Sequence, residues 1–196
     1  AVMAKNGCMY GIPFAGNSVL KFDPLTHKLS TFGHVQGDND KKYLDGVLGP
    51  VGRFIFCVPT GAARVLCIDT QTDTCEVIGD DLTENIMWKW DGGGLGGDGQ
   101  IYCIPLNAGI RVLRIDPVSK TTSLFGPTLG HQLRSWAGGA AGADGCVYGV
   151  PYFANHTLKI DPFAGTVTTL SAPMPTKVQR TFQSAVCGTG GNVWCL

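Results

Sequence analysis

Four prolines stand 46 residues apart, at Pro13, Pro59, Pro105 and Pro151, and each closes the same kind of short apolar segment. Three of these read Met9-Tyr10-Gly11-Ile12-Pro13, Ile101-Tyr102-Cys103-Ile104-Pro105 and Val147-Tyr148-Gly149-Val150-Pro151, and a further copy starts at Asn192-Val193-Trp194-Cys195-Leu196. Ten or eleven residues after each proline comes Asp23, Asp69, Asp116 or Asp161, closing segments such as Val112-Leu113-Arg114-Ile115-Asp116. Ten residues further on stands Gly33, Gly79, Gly126 or, in the fourth copy, Ser171. An aromatic residue (Tyr43, Trp90, Trp136, Phe182) lies nine residues ahead of Gly52, Gly99, Gly145 or Gly191. Four landmarks sharing one period make the chain a repeat protein, and this limits the architectures open to it.

Within each unit, period-2 alternation and turn residues predict four short strands, and no stretch has a helical period. The first strand is glycine-rich, as in Trp136-Ala137-Gly138-Gly139-Ala140-Ala141-Gly142. Asp98-Gly99 or Asp144-Gly145 then supplies a hairpin turn, where glycine takes a positive φ at little cost. The second strand should end at its proline, which has no ladder donor. The third ends at Asp, which opens a turn by accepting backbone hydrogen bonds. The fourth reads Lys28-Leu29-Ser30-Thr31-Phe32 or Thr166-Val167-Thr168-Thr169-Leu170.

A four-stranded unit of about 46 residues repeated head to tail predicts an all-β fold, a β-propeller with four full blades and part of a fifth. The expected units are residues 1–42, 43–89, 90–135, 136–181 and 182–196 of one domain. Small residues in the first strand suit the crowded axis of a propeller. The extra strand pair at the end leads us to expect a ring of five to seven blades, completed by further chain or by a partner, since bare sheet edges invite aggregation.

The Asp-Gly-x-Ile-Tyr-x-Ile-Pro … Val-Leu-x-Ile-Asp-Pro … Gly pattern resembles blades of the NHL, gluconolactonase-like and kelch-like propeller groups over nearly the whole chain. It is also similar to long repeat proteins of algae and protists. Gly92-Gly93 and Gly138-Gly139 match the kelch double glycine, but the later kelch tryptophan has no counterpart. The gluconolactonase-like resemblance implies a divalent cation held by Glu, Asn and Asp at the axis. Here the first strands offer Asp45 and Asp91 at their starts and Asp98 and Asp144 at their turns. A hard cation needs several convergent oxygens, so these are read as strand-start and turn residues. No metal, cofactor or catalytic residue is assigned.

Fifteen basic and 15 acidic side chains cancel, which argues against nucleic-acid binding driven by charge. No apolar run reaches the length of a membrane span. No targeting segment is legible at Ala1-Val2-Met3-Ala4-Lys5-Asn6, and this assigns no compartment. None of the eight cysteines forms a C-x-x-C pair, and most recur in register as small buried residues. Cys67 and Cys75 are the exception, a candidate disulfide across the hairpin between the third and fourth strands, conditional on an oxidising compartment. His27, His34, His131 and His156 have no ligand spacing, and Asp91 to Gly99 lacks the Lys-Ser/Thr of a phosphate loop.

The best functional candidate is the face where the loops between blades meet the loops after the prolines. A basic residue stands near each aromatic there: Lys42 with Tyr43, Lys89 with Trp90, Arg134 with Trp136 and Arg180 with Phe182, and the second copy adds Trp88. Two readings stay open: binding residues that stack on a ring or anchor a partner, or wedges between neighbouring blades. Asn17, Asn107 and Asn155 are candidate polar contacts, and Asn155-His156-Thr157 is a glycosylation sequon of use only in a secreted protein. We expect a non-enzymatic scaffold or accessory subunit that binds other protein chains. The alternatives are a glycan-binding propeller with one site per blade gap and a gluconolactonase-like hydrolase.

Overall fold

The computed structural model describes residues 1–35, 41–82, 88–107, 109–129, 134–171, 182, 184–188 and 190–196. Among them every regular element is a strand. The first sheet runs β1 (Val2–Met3), β2 (Met9–Gly11), β3 (Val19–Asp23) and β4 (Lys28–Phe32). The second runs β5 (Tyr43–Leu48), β6 (Phe54–Pro59), β7 (Val65–Asp69) and β8 (Thr74–Ile78). The third comprises β9 (Trp90–Leu95), β10 (Ile101–Pro105), β11 (Ile110–Asp116) and β12 (Thr121–Leu129). The fourth comprises β13 (Trp136–Ala141), β14 (Val147–Pro151), β15 (Thr157–Asp161) and β16 (Thr166–Leu170). A hairpin of β17 (Ala185–Cys187) and β18 (Val193–Cys195) follows. Every sheet is antiparallel and in sequence order, so each unit folds on itself as predicted.

The turns show why the landmarks recur. Gly7, Gly52, Gly99, Gly145 and Gly191 all have φ between +74 and +81°, and each donates its N–H to the carbonyl three residues back. One turn is thus built five times, the last in the terminal hairpin. Pro59, Pro105 and Pro151 are the final residues of β6, β10 and β14. The Asp ending each third strand accepts backbone N–H bonds, as Asp116 does from Val118 and Ser119 at 2.8 and 3.1 Å. Those bonds hold the carboxyls of Asp23, Asp116 and Asp161 below their ordinary value, led in Asp23 by the Thr26 hydroxyl.

The core lies between sheets. Tyr10 of β2 packs with Ile55, Cys57, Leu66 and Ile68 of the second sheet. Phe56 packs with Ile101, Cys103, Leu113 and Ile115 of the third. Tyr102 packs with Val147, Leu158 and Ile160 of the fourth. First strands pack against each other across the inner side, β5 on β9 and β9 on β13. Small residues make this possible: a Cβ on Gly92 would lie 2.6 Å from Gly138 Cα.

The register corrects one expectation. Cys67 stands opposite Glu76, and Cys75 stands opposite Ile68. This offset of one residue sends the two thiols to opposite faces of the sheet, Cys67 toward the third sheet and Cys75 toward the first. Both are free, and no disulfide joins them.

Candidate functional site

With the first and second strands of a sheet labelled A and B, the strand-A aromatics Tyr43, Trp90 and Trp136 each bond within their own blade. The Tyr43 hydroxyl donates to Arg64 O at 3.1 Å, Trp90 Nε1 to Arg111 O at 2.9 Å and Trp136 Nε1 to His156 O at 2.8 Å. All three rings are buried. The chain thus fastens the start of its first strand to the start of its third, with the ring filling the space between. Burial also pushes the Tyr43 phenol well up from its ordinary value.

The adjacent lysines tie one blade to the preceding one. Lys42 and Lys89 are only 2 and 3 % exposed. Lys42 Nζ donates to Ala15 O at 3.2 Å and Asn17 Oδ1 at 3.1 Å, and Lys89 Nζ donates to Ala62 O at 3.0 Å. Lys42, Tyr43, Lys89, Trp90 and Trp136 are each buried and bonded to backbone or loop atoms, and Lys89 and Trp90 also line a cavity of about 490 Å³ with Leu82, Ile110, Arg111 and Thr122. Asn17 is exposed, and its carboxamide serves the Lys42 tie. Asn107 is half-buried and Asn155 exposed. Phe182 is half-buried, and Arg180 lies outside the described residues.

Trp88 and Arg134 behave differently. Each stands two residues before the strand-A aromatic, and Lys41 occupies the same register position one blade earlier. The structure stacks the three: Lys41 Nζ lies 4.7 Å from the Trp88 ring centroid, and the Arg134 guanidinium carbon lies 4.9 Å from it. Trp88 and Arg134 have φ of +62 and +58°. A bulky residue in the left-handed region is uncommon and carries a conformational cost.

Below them lies a cup of about 320 Å³ lined by Leu44, Trp88, Asp91, Leu106, Arg134, Ala137 and Tyr152. Leu44, Asp91 and Ala137 each follow the strand-A aromatic of their blade. The pairing of β5 with β6, β9 with β10 and β13 with β14 shifts register at these positions, and such irregularities re-aim a side chain. Leu106 and Tyr152 each follow a strand-B proline, as does Phe14, whose ring centroid is 6.5 Å from Trp88. Sequence reasoning missed Lys41, Leu44, Leu106, Ala137, Tyr152 and Phe14. Their fixed offsets from proline and aromatic were the signal that would have found them.

Asp91 brings chemistry to the cup. Burial, with the neighbouring Asp45 charge, raises its carboxyl to about 6, while the Gly138 N–H bonds the charged form and opposes the shift. Burial likewise raises Asp45, which accepts the Gly46 N–H at 2.8 Å. Among the described residues no group of three or more His, Cys, Asp or Glu is placed to hold a metal ion. Two axial carboxylates do not make the donor set that the gluconolactonase-like resemblance implies.

No protein-family model matches the sequence, and a search of curated proteins found no match. Solved structures do match. An inactive variant of virginiamycin B lyase from Staphylococcus aureus, solved with quinupristin, superposes with a TM-score of 0.77 at 17% identity, over 99% of this chain and 61% of that one. A streptogramin B lyase gives 0.76 at 16%, over 98% and 59%. A chain of a nidogen/laminin complex gives 0.70 at 14%, over 98% and 68%. The chain thus spans about 60% of the length of the two lyases. At these identities the likeness establishes the fold alone: four four-stranded blades and part of a fifth, in a β-propeller repeat protein.

Proposed function

We propose that this propeller segment is a protein-binding module that takes an anchoring side chain of a partner into the axial cup, with Trp88 and Arg134 as its principal contacts. The observation that carries this reading is the left-handed backbone at Trp88 and Arg134, with a tryptophan and an arginine lining one cup beside Leu44, Leu106 and Tyr152. Trp, Tyr and Arg dominate the energetics of protein interfaces, and strained residues cluster at functional sites. Nidogen, a fold relative at low identity, is solved in complex with laminin, which agrees with partner binding on this scaffold.

The test places a photo-crosslinking residue at Phe14, on the rim, and compares the parent background with Trp88→Ala/Arg134→Glu in an extract of the source. The expected result is a defined protein crosslinked by the parent and lost at least tenfold in the double variant, with a melting temperature lowered by only about 2–4 °C. A crosslinked set indifferent to the double variant refutes the reading.

A second reading rests on Asp91, whose carboxyl near 6 suits general acid–base work on a small polar ligand. Two of the fold relatives are lyases. A panel of lactones and cyclic esters assayed from pH 4 to 8 tests it: turnover with a break near 6, abolished in Asp91→Asn, would replace the first reading.

A further inference from the structure

The gap between the second and third sheets is built unlike the gap before it. Val35 and Leu82 hold equivalent places: the Val35 N–H donates to Asn17 O at 2.9 Å, and the Leu82 N–H to Ala63 O at 2.7 Å. Val35 is buried in the core between the first two sheets, whereas Leu82 is only half-buried. Beside Leu82 lies the cavity of about 490 Å³, lined by Lys89, Trp90, Ile110 and Arg111. Asp80 and Asp81 also line it, and both are exposed, so the carboxylates stand toward its mouth.

Two cations line this cavity with hydrogen-bonding capacity left over. Lys89 is 3 % exposed, and among the described residues its Nζ has one acceptor, Ala62 O at 3.0 Å. The equivalent Lys42 has both Ala15 O and the Asn17 side chain. Ala63 stands where Asn17 does, four residues after the strand-B proline, and offers no side-chain oxygen. Arg111 stands where the pairing of β11 with β12 shifts register, and such an irregularity re-aims a side chain. Its Nε and Nη2 donate to Gly126 O and Leu124 O at 2.6 and 3.2 Å, and among the described residues Nη1 has no acceptor. Arg64, its counterpart one blade earlier, is exposed, and Ser135 replaces the lysine one blade later. Burial pulls the Lys89 ammonium down from its ordinary value, and the Asp81 charge opposes this. A buried ammonium short of acceptors is costly, and an oxygen ligand relieves that cost.

We propose that this gap binds a free α-amino acid with an apolar side chain, its carboxylate held by Lys89 and Arg111, its ammonium facing Asp80 and Asp81, and its side chain against Leu82, Trp90 and Ile110. Charge-assisted bonds from an ammonium and a guanidinium select a carboxylate. The two aspartates balance the two cations, so a simple anion meets like charge at the mouth, while a zwitterion meets opposite charge at both ends. A neutral sugar leaves the buried cation uncompensated. An apolar lining with a few placed polar groups, at this volume, is the build of a small-molecule site. It shares no residue with the axial cup, so it stands or falls apart from the partner-binding reading.

The probes are L-leucine and L-phenylalanine, titrated calorimetrically into the 196-residue chain. Isocaproate and isoamylamine keep the leucine side chain and one of its two charges. At least one amino acid should bind saturably, one to one, and both analogues at least tenfold more weakly than leucine or not at all. Arg111→Gln should weaken binding at least tenfold, and Leu82→Trp, which enlarges a lining side chain, should abolish it, with melting checked to confirm that each folds. Trp88→Ala/Arg134→Glu should leave it unchanged. Binding of neither amino acid overturns the inference, as does isocaproate binding as tightly as leucine. Indifference to both Arg111→Gln and Leu82→Trp, or loss in the Trp88→Ala/Arg134→Glu protein, also overturns it.

Discussion

Replacing Trp136 by alanine removes a ring that is 6 % exposed and packed with Tyr102, Ile104, Val147, Leu158 and Ile160. Truncating a buried aromatic to alanine costs about 3–5 kcal/mol. His156 O loses the indole donor held at 2.8 Å, which adds about 1 kcal/mol. For a chain of this size each kcal/mol lowers the melting temperature by about 2–4 °C, so the drop should be about 8–24 °C. Trp136→Phe keeps most of the packing and loses only the donor, for about 1–2 kcal/mol. Trp88→Ala, on the rim, should cost about 1 kcal/mol, the worth of its cation contacts. Urea unfolding followed by far-ultraviolet circular dichroism measures all three. A Trp136→Ala protein within about 1 kcal/mol of the parent would refute the placement of this ring in the core between the third and fourth sheets.

Gly92→Ala meets backbone rather than a yielding side chain and forces alanine to φ of +66°, so a loss of about 2–5 kcal/mol is expected in the same assay. An unaffected midpoint would show that the inner strands are not in close approach. Asp91 is held at about 6 against an ordinary 3.8, so the folded state binds the extra proton between those values. Its contribution to stability therefore falls as pH rises from about 4 to 6. The stability of the parent relative to Asp91→Asn should decline across that window, and a rise contradicts the placement. Burial pushes the thiols of Cys57, Cys67 and Cys103 up, whereas Cys187 is exposed. Iodoacetamide should label Cys187 first in the folded protein, and reductant should leave the melting temperature unchanged. A melting point lowered by reductant would indicate a disulfide that the free thiols exclude.

The functional residues show where sequence reasoning stops. Trp88 and Arg134 are legible as candidate aromatic and basic residues, but the sequence pairs Lys42 with Tyr43 and Arg134 with Trp136 and passes over Lys41. Of two neighbours in a loop, one turns inward to Ala15 O and Asn17 Oδ1 and the other outward over Trp88. Strand alternation does not extend into a loop, so backbone torsion makes that choice. The same limit explains Cys67 and Cys75. The closing pair Asp69 and Thr74 sets Cys75 against Ile68, and a register one residue away would have brought the thiols to one face.

The repeat, by itself, determined the blade. Its prolines stop the second strands, its glycines make five equal turns, and its aspartates start the return to the fourth strand, because each acts through backbone torsion and local hydrogen bonds. The tertiary structure alone decided what lies between blades. Lys41, Trp88 and Arg134 come together from positions 47 and 46 residues apart. Contacts of that kind depend on how units stack and on which side chains the stack leaves uncovered. A local pattern carries no record of that.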